Sequence, residues 1–423
     1  MERKYLISVK IIFLLLFFAA GTNLVKADEP VDYFTISGSV KNSKNKKKVE
    51  YVNVSAVGTN VGTISNENGE FVLKLDRNLP VYEIELSCIG YYNARISVTK
   101  SDLLNQTFLL TPQSFELSEI EIFSWQNPRD LIRAAISKVD SNYVTNPILL
   151  TGFYRETVQK GRNYINIAEA VTRIYKTSYS LDIDKDRVQI LKGRRLVSPK
   201  PSDTLNVKLI AGPNLAVFGD IVKNPDMLLS EEFLQYYNYK MGETTSMNGR
   251  LQYVVHFQPE MLTEFPLYYG TFYIDRETLT FTRTEFRFDM RDKKKITDII
   301  LRNKPRNLRF SPEEVAYVVT YKEQDGKTYL NYIRNEMRFK CDWKRKLFAT
   351  NYTVISEMVV TDKTEDNVSR IPAKESFSQH KSLSSEVMTF YDVDFWGAYN
   401  IIEPTESLEN AVNKLRKQQT KYQ

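Results

Sequence analysis

The chain has 423 residues, 42% of them hydrophobic, enough for two or three domains with sizeable cores. Its formal net charge of +6, from 58 basic and 52 acidic residues, is too mild to point to nucleic acid. The 26 Tyr and 23 Phe lean it towards sheet.

Residues 1–27 read as a secretory signal. Arg3 and Lys4 precede an apolar run from Ile11 to Ala20, too short to span a bilayer. Val25-Lys26-Ala27 fits the small-x-small rule, which puts cleavage between Ala27 and Asp28. No Cys stands near that point, so lipoprotein processing is not expected. No later apolar run reaches about 18 residues, so no transmembrane segment is expected in the mature chain. The expected location is the periplasm or the periplasmic face of the outer membrane.

Phe34 to Leu110 reads as a closed β-sandwich. Phe34 and Ile36; Val52, Val54 and Ala56; Phe71, Leu73 and Leu75; and Ile84, Leu86 and Cys88 recur at every second position. That period marks half-buried strands. Asn68-Gly69 is expected to supply the positive φ angles of a tight hairpin. About seven short strands in about 80 residues is the size of a two-sheet sandwich. Lys44 to Lys48 reads as a solvated loop. Leu109-Leu110-Thr111-Pro112 closes the unit, since Pro cannot continue a ladder.

These runs carry a resemblance. Ile36-Ser37-Gly38-Ser39-Val40, Val52-Asn53-Val54, Gly62 to Phe71 and Ser87-Cys88-Ile89-Gly90-Tyr91-Tyr92 are similar to the carboxypeptidase regulatory-like domain. Asn66 stands where that family often has Asp, and Glu50-Tyr51 where it often has Pro-Leu. The resemblance implies a seven-stranded, transthyretin-like sandwich that is not itself a peptidase. The family also precedes the plug of TonB-dependent outer-membrane receptors and the β-rich part of proteins of the Bacteroidota type. An envelope setting is therefore implied as well.

Leu117 to Ile122 alternates and reads as a strand leaving the sandwich. No train of membrane strands follows, so no receptor barrel is expected. Asn127-Pro128 opens a helix, a cap followed by Pro at the first helical position. Leu131, Ile132, Ala135, Ile136 and Val139 share one face. This helix is expected to run to near Tyr143 and to pack across the concave side of the sheet that follows.

From Leu149 to about Val360 the chain reads as an antiparallel meander. Strands are expected at Gly152–Gln159, Tyr164–Tyr175, Leu251–Phe257, Tyr269–Asp275, Thr280–Phe288, Val315–Lys322, Thr328–Phe339 and Phe348–Val359. Pro225 to Tyr237 interrupts them, with Ser230 capping a short helix that Glu231 and Glu232 begin. Tyr269 to Thr278 resembles the strand–turn–strand of periplasmic lipoprotein-carrier-like proteins, whose curved sheet wraps an apolar groove. Phe395-Trp396-Gly397-Ala398-Tyr399-Asn400-Ile401-Ile402-Glu403-Pro404 resembles the ending of β-rich proteins that follow a regulatory-like sandwich. Ser376 to Ser385, with His380, reads as a loop. Thr405 caps a final helix whose apolar stripe is Leu408, Ala411, Val412 and Leu415.

The residue inventory is poor in catalytic chemistry. A zinc carboxypeptidase needs His and Glu at close spacing and a distant His. Only His256 and His380 are present, and the nearest carboxylate pattern, His256 to Glu260, crosses Pro259. No Gly-x-Ser-x-Gly elbow, phosphate loop or dinucleotide fingerprint occurs. Cys88 and Cys341 read as independent buried thiols, although the expected compartment permits a disulfide. Glu231-Glu232 and Glu313-Glu314 read as helix or turn surface. The aromatic richness reads as core and sheet edge. No catalytic, metal-binding or cofactor-binding residue is assigned, and no cofactor is expected.

The sequence thus reads as a mainly β protein: signal 1–27, β-sandwich 32–112, and a larger antiparallel β-rich domain 127–423 with helices near both ends. The expected function is a non-catalytic, exported binding or accessory protein at the periplasmic side of the outer membrane, associated with envelope or nutrient-uptake machinery. The alternatives are a periplasmic carrier of an apolar, lipid-like ligand and a hydrolase with an unrecognised carboxylate pair. The expected partners are an outer-membrane or other envelope protein and an apolar or glycan ligand.

Overall fold

The computed structural model describes residues 32–113, 125, 127–205, 207–209, 212–344, 347–378, 381–388 and 395–422. The signal with its Ala27–Asp28 junction, the strand expected at Leu117–Ile122, and His380 lie outside these residues.

The amino-terminal unit has strands β1 (Tyr33–Asn42), β2 (Asn53–Ala56), β3 (Gly62–Ile64), β4 (Glu70–Asp76), β5 (Glu83–Ser87), β6 (Ala94–Ser97) and β7 (Leu103–Leu110). They form two sheets, in the orders β4-β1-β7 and β3-β2-β5-β6. The alternating residues close the core between the sheets: Phe34, Ile36, Val54, Phe71, Leu73 and Leu86 are all buried. At the turn before β4, Gly69 alone takes a positive φ, of 74°. The Asn66 carboxamide oxygen replaces the second expected left-handed residue. It accepts from the amides of Asn68 at 2.8 Å and Glu70 at 2.9 Å.

Helix α1 (Pro128–Ser137) follows, with the Asn127 side chain accepting from Arg129 N at 3.0 Å. The expected single helix is broken at Lys138, and a short α2 (Val139–Asn142) completes it. Beyond the break Tyr143 is buried, and its hydroxyl donates to the Phe281 carbonyl at 2.8 Å.

The second unit is built on β8 (Ile148–Lys160), β9 (Asn163–Lys176) and β10 (Arg187–Val197). Next come β11 (Lys208–Leu209), α3 (Pro213–Phe218), α4 (Glu231–Leu234), β12 (Tyr237–Met241), β13 (Thr245–Met247) and β14 (Arg250–Pro259). Then follow β15 (Tyr268–Asp275), β16 (Phe281–Phe288), α5 (Lys293–Ile300), β17 (Leu301–Asn303), β18 (Leu308–Gln324), β19 (Lys327–Trp343) and β20 (Thr350–Thr364). The chain ends with α6 (Leu383–Glu386) and α7 (Glu406–Tyr422). Glu313-Glu314, expected on a helix or turn surface, lies instead within β18, where the two carboxylates pair with Lys340 and Arg338.

Among the described residues one sheet of 11 strands dominates. Its order is β10-β9-β8-β20-β19-β18-β16-β15-β14-β12, with β13 also on β14. All its pairings are antiparallel. It is a meander in two parts, closed by β8 pairing with β20 from the far end of the domain.

The inner face of this sheet is filled by the protein itself. Tyr154, Ala170, Phe257, Phe272, Phe281 and Met358 from the strands pack with Leu131 and Ile132 of α1, Ala216 and Val217 of α3, and Leu228 to Leu234. A buried ionic cluster pins the crossing segment. Lys176 Nζ lies 2.8 Å from Asp220 and 3.2 Å from Asp186, and the hydroxyls of Tyr179 and Tyr321 donate to Asp220 at 2.9 and 2.8 Å. Such clusters hold one arrangement when every member is satisfied.

The sandwich docks on the outer face. Asn331 donates to Asn53 at 2.7 Å, Asn60 to the Lys363 carbonyl at 2.8 Å, and Gly90 N to the Ser246 carbonyl at 2.8 Å. The segment 395–404 is clamped between the two units. Thr63 donates to the Ile401 carbonyl at 2.9 Å, and Asn400 exchanges hydrogen bonds of 2.7 and 3.0 Å with the Lys74 backbone. Trp396 and Ile402 complete a small core with Ile64 of the sandwich and Phe153, Val171, Tyr332 and Val359 of the sheet.

Candidate functional site

Cross-strand neighbours on one sheet face stand within reach of each other's side chains. Following the register across the outer face gives one row: Lys240, His256, Thr271, Glu285, Val318, Arg334, Glu357, Arg155, Glu169, Arg194. From Arg334 onward it alternates cation and anion.

The two ends of this row differ in cover. Arg155, Glu169 and Arg194 lie beneath the clamped tail. Arg155 Nε donates to Glu169 at 2.8 Å, Arg194 Nε donates to the other Glu169 oxygen at 2.8 Å, and Arg155 Nη2 donates to the Ile402 carbonyl at 2.7 Å. Burial pushes the Glu169 carboxyl up, but Arg155 and Arg194 more than offset it and hold it below its ordinary value. Tyr332 stacks on Tyr51 of the sandwich at 5.8 Å and donates to Glu357 at 3.2 Å. A cavity of about 50 Å³ remains here, lined by Glu67, Glu357, Glu403, Arg155, Arg334 and Tyr51. Burial raises the Glu403 carboxyl to about 7 and also raises Glu67. Three carboxylates thus converge, but the space has room for a few waters at most and not for a sugar or a peptide.

The other end is open. Lys240, His256, Thr271 and Glu285 floor a groove of about 590 Å³ on β12, β14, β15, β16 and β18. A neighbouring row adds Asn238, Gln258, Tyr269 and Arg287. His256 Nδ1 lies 2.9 Å from Thr271 Oγ1 and Glu285 accepts from Arg283 Nε at 2.6 Å, so three of the floor side chains are held in place. The volume falls in the range of small-ligand sites, and the lining offers both donors and acceptors.

The residues weighed from the sequence distribute as follows. His256 is exposed in this groove, across from Lys240 and Thr271 rather than beside carboxylates. Glu260 lies near Arg129, at 3.9 Å. Among the described residues no three His, Cys, Asp or Glu side chains are placed to hold a metal ion. Cys341 is buried and Cys88 half-buried rather than enclosed, and both are free thiols. The strand–turn–strand around Tyr269 to Thr278 is present, and its inner face is packed with Phe272, Ile274 and Phe281. The row itself escaped sequence reading. Its members are single outward residues on different strands, and only the register brings them together.

Comparison with known proteins adds the following. No curated protein matches the chain. Among solved structures, a DUF1329 family protein from Desulfovibrio piger is similar over 58% of this chain and 96% of its own, at 12% identity and a TM-score of 0.24. A LolA superfamily protein from Nitrosomonas europaea is similar over 59% of this chain and 99% of its own, at 9% identity and a TM-score of 0.21. Likeness at these scores carries no functional argument. Residues 36–122 match the family model of the CarboxypepD_reg-like domain, and the amino-terminal sandwich is a domain of that family.

Proposed function

We propose that this chain is an exported, non-catalytic binding or accessory protein at the periplasmic side of the outer membrane, holding a polar ligand of the glycan class. The observation that carries the ligand class is the open end of the outer row. Its groove of about 590 Å³ sets Asn238, His256, Gln258, Thr271 and Glu285 beside the ring of Tyr269. Side-chain donors and acceptors next to an aromatic face are the equipment for sugar hydroxyls and a sugar ring. The envelope setting is supported by the apolar leader in the sequence and by the CarboxypepD_reg-like match.

Titration of the protein with fragments of envelope polysaccharide tests the ligand. Binding should fall at least about ten-fold in His256→Ala and in Tyr269→Ala, roughly 1.4 kcal/mol each, with the melting temperature unchanged. Binding that survives both substitutions removes the groove from the account. Mild-detergent capture from membranes tests the setting: an outer-membrane partner should be recovered. Acyl chains in the native mass of the purified protein would instead favour the carrier of an apolar ligand.

A further inference from the structure

The end of the large sheet carrying the β19–β20 turn projects bare apolar side chains among cations. Leu347 and Phe348, between β19 and β20, are 95% and 83% exposed. Single exposed apolar residues are ordinary, but two adjacent ones left this bare mark a contact surface.

Their neighbours are basic. Leu308 pairs with Trp343 and Arg309 with Asp342, and Lys344 N donates to the Asn307 carbonyl at 3.2 Å. The turn 304–307, with Arg306, therefore lies against the base of the β19–β20 turn. On the other side Gly161 N donates to the Asn351 carbonyl at 2.9 Å, which brings Arg162 alongside. Arg162, Arg306, Arg309 and Lys344 are all exposed. Among the described residues, the exposed acid Asp342 stands opposite Arg309, and the exposed Glu313 further along β18 pairs with Lys340. Among the described residues the sandwich bonds to the sheet elsewhere. Its hydrogen bonds reach the sheet at Asn331 of β19 and Lys363 of β20, towards the opposite ends of those strands, and at Ser246 of β13.

We propose that this end of the sheet docks on an anionic lipid bilayer, with Leu347 and Phe348 inserted at the headgroup level and the four cations against lipid phosphates. Charge complementarity selects this occupant: protruding apolar side chains ringed by exposed Arg and Lys fit the boundary between acyl chains and anionic headgroups. The two side chains are almost wholly exposed, and a bilayer, unlike a partner protein, needs no pocket to receive them. This goes beyond the ligand groove, which lies on the outer face, and does not depend on it.

Vesicle flotation of the purified chain tests the docking. Vesicles of phosphatidylcholine containing phosphatidylglycerol should retain the protein, more weakly at high salt, and pure phosphatidylcholine vesicles should not. Arg306→Glu/Arg309→Glu should lower partitioning by more than the roughly five-fold per cation that loss of charge alone gives. Leu347→Ser/Phe348→Ser should lower it at least about ten-fold at unchanged net charge. All four positions are exposed, so circular dichroism and melting temperature should match the parent protein. Phe348→Trp supplies a second readout: its emission should shift to the blue and be quenched by brominated lipid. Failure of the parent protein to bind acidic vesicles, equal binding by both double variants, or unquenched emission from Phe348→Trp overturns the proposal.

Discussion

Burial decides the chemistry of single residues here. It pushes the thiols of Cys88 and Cys341 up to about 11, so neither is a nucleophile at neutral pH. Alkylation of the native protein should be slow at both, and the unreduced chain should take up two labels once unfolded. Glu403 behaves in the opposite sense to a salt-bridged acid. Burial lifts it from 4.5 to about 7, and Glu409 and Glu70 reinforce this against Arg155 and Lys74. Between those values the folded chain keeps a proton that the unfolded chain has released. Its contribution to stability is therefore full below about pH 4.5 and declines until about pH 7. Glu403→Gln should flatten that decline and add on the order of 1–2 kcal/mol above it, as a denaturant series across pH would show. Gly270 is fixed by close approach: a Cβ there would overlap the Glu285 carbonyl and the Phe257 ring. Gly270→Ala should cost about 1–3 kcal/mol in thermal or denaturant unfolding.

At the scale of elements, periodicity was a good guide where one face meets water and the other a core. All eight strands expected between Gly152 and Val359 are present, with ends moved by a few residues at most positions. The stripe of the last helix, Leu408 to Leu415, packs on Ile167 and Leu196 of the outer face as its spacing requires. Periodicity missed the short strands β11, β13 and β17 and the short helices α3 and α6, and it also missed β10, β12 and α5, whose sequences are rich in charge or Tyr and are made regular by their neighbours. The tail 395–404 has no regular structure, yet it joins sheet to sandwich. Trp396→Ala should cost about 3–5 kcal/mol and raise hydrogen exchange across that segment. Arg155→Met leaves Glu169 and Glu357 short of a buried partner and should cost a comparable about 3–5 kcal/mol. Unfolding midpoints unmoved by either change would mean the tail is an ornament rather than a clamp.

For the whole molecule, the two units differ in independence. The sandwich closes its own core and should fold alone as residues 32–113. The large unit expressed from residue 127 loses the cover over Phe153, Tyr332 and Val359, and should melt lower and bind an apolar dye more strongly than the full chain. Alternation and turn residues alone determined that there would be a small sandwich, a large antiparallel sheet and helices capped by Asn127 and Thr405, because these depend on neighbours in sequence, whereas Ser230 makes no capping bond with its side chain. The expectation that no catalytic motif is present rests instead on residue types and spacing. The tertiary structure alone decided that β8 closes on β20, that the crossing segment fills the inner face, and that ten outward side chains line up from Lys240 to Arg194. Register is a long-range property: a shift of one residue in any strand would turn its member of that row to the other face. The open groove and the buried charges are therefore products of pairing between distant strands, which no local pattern records.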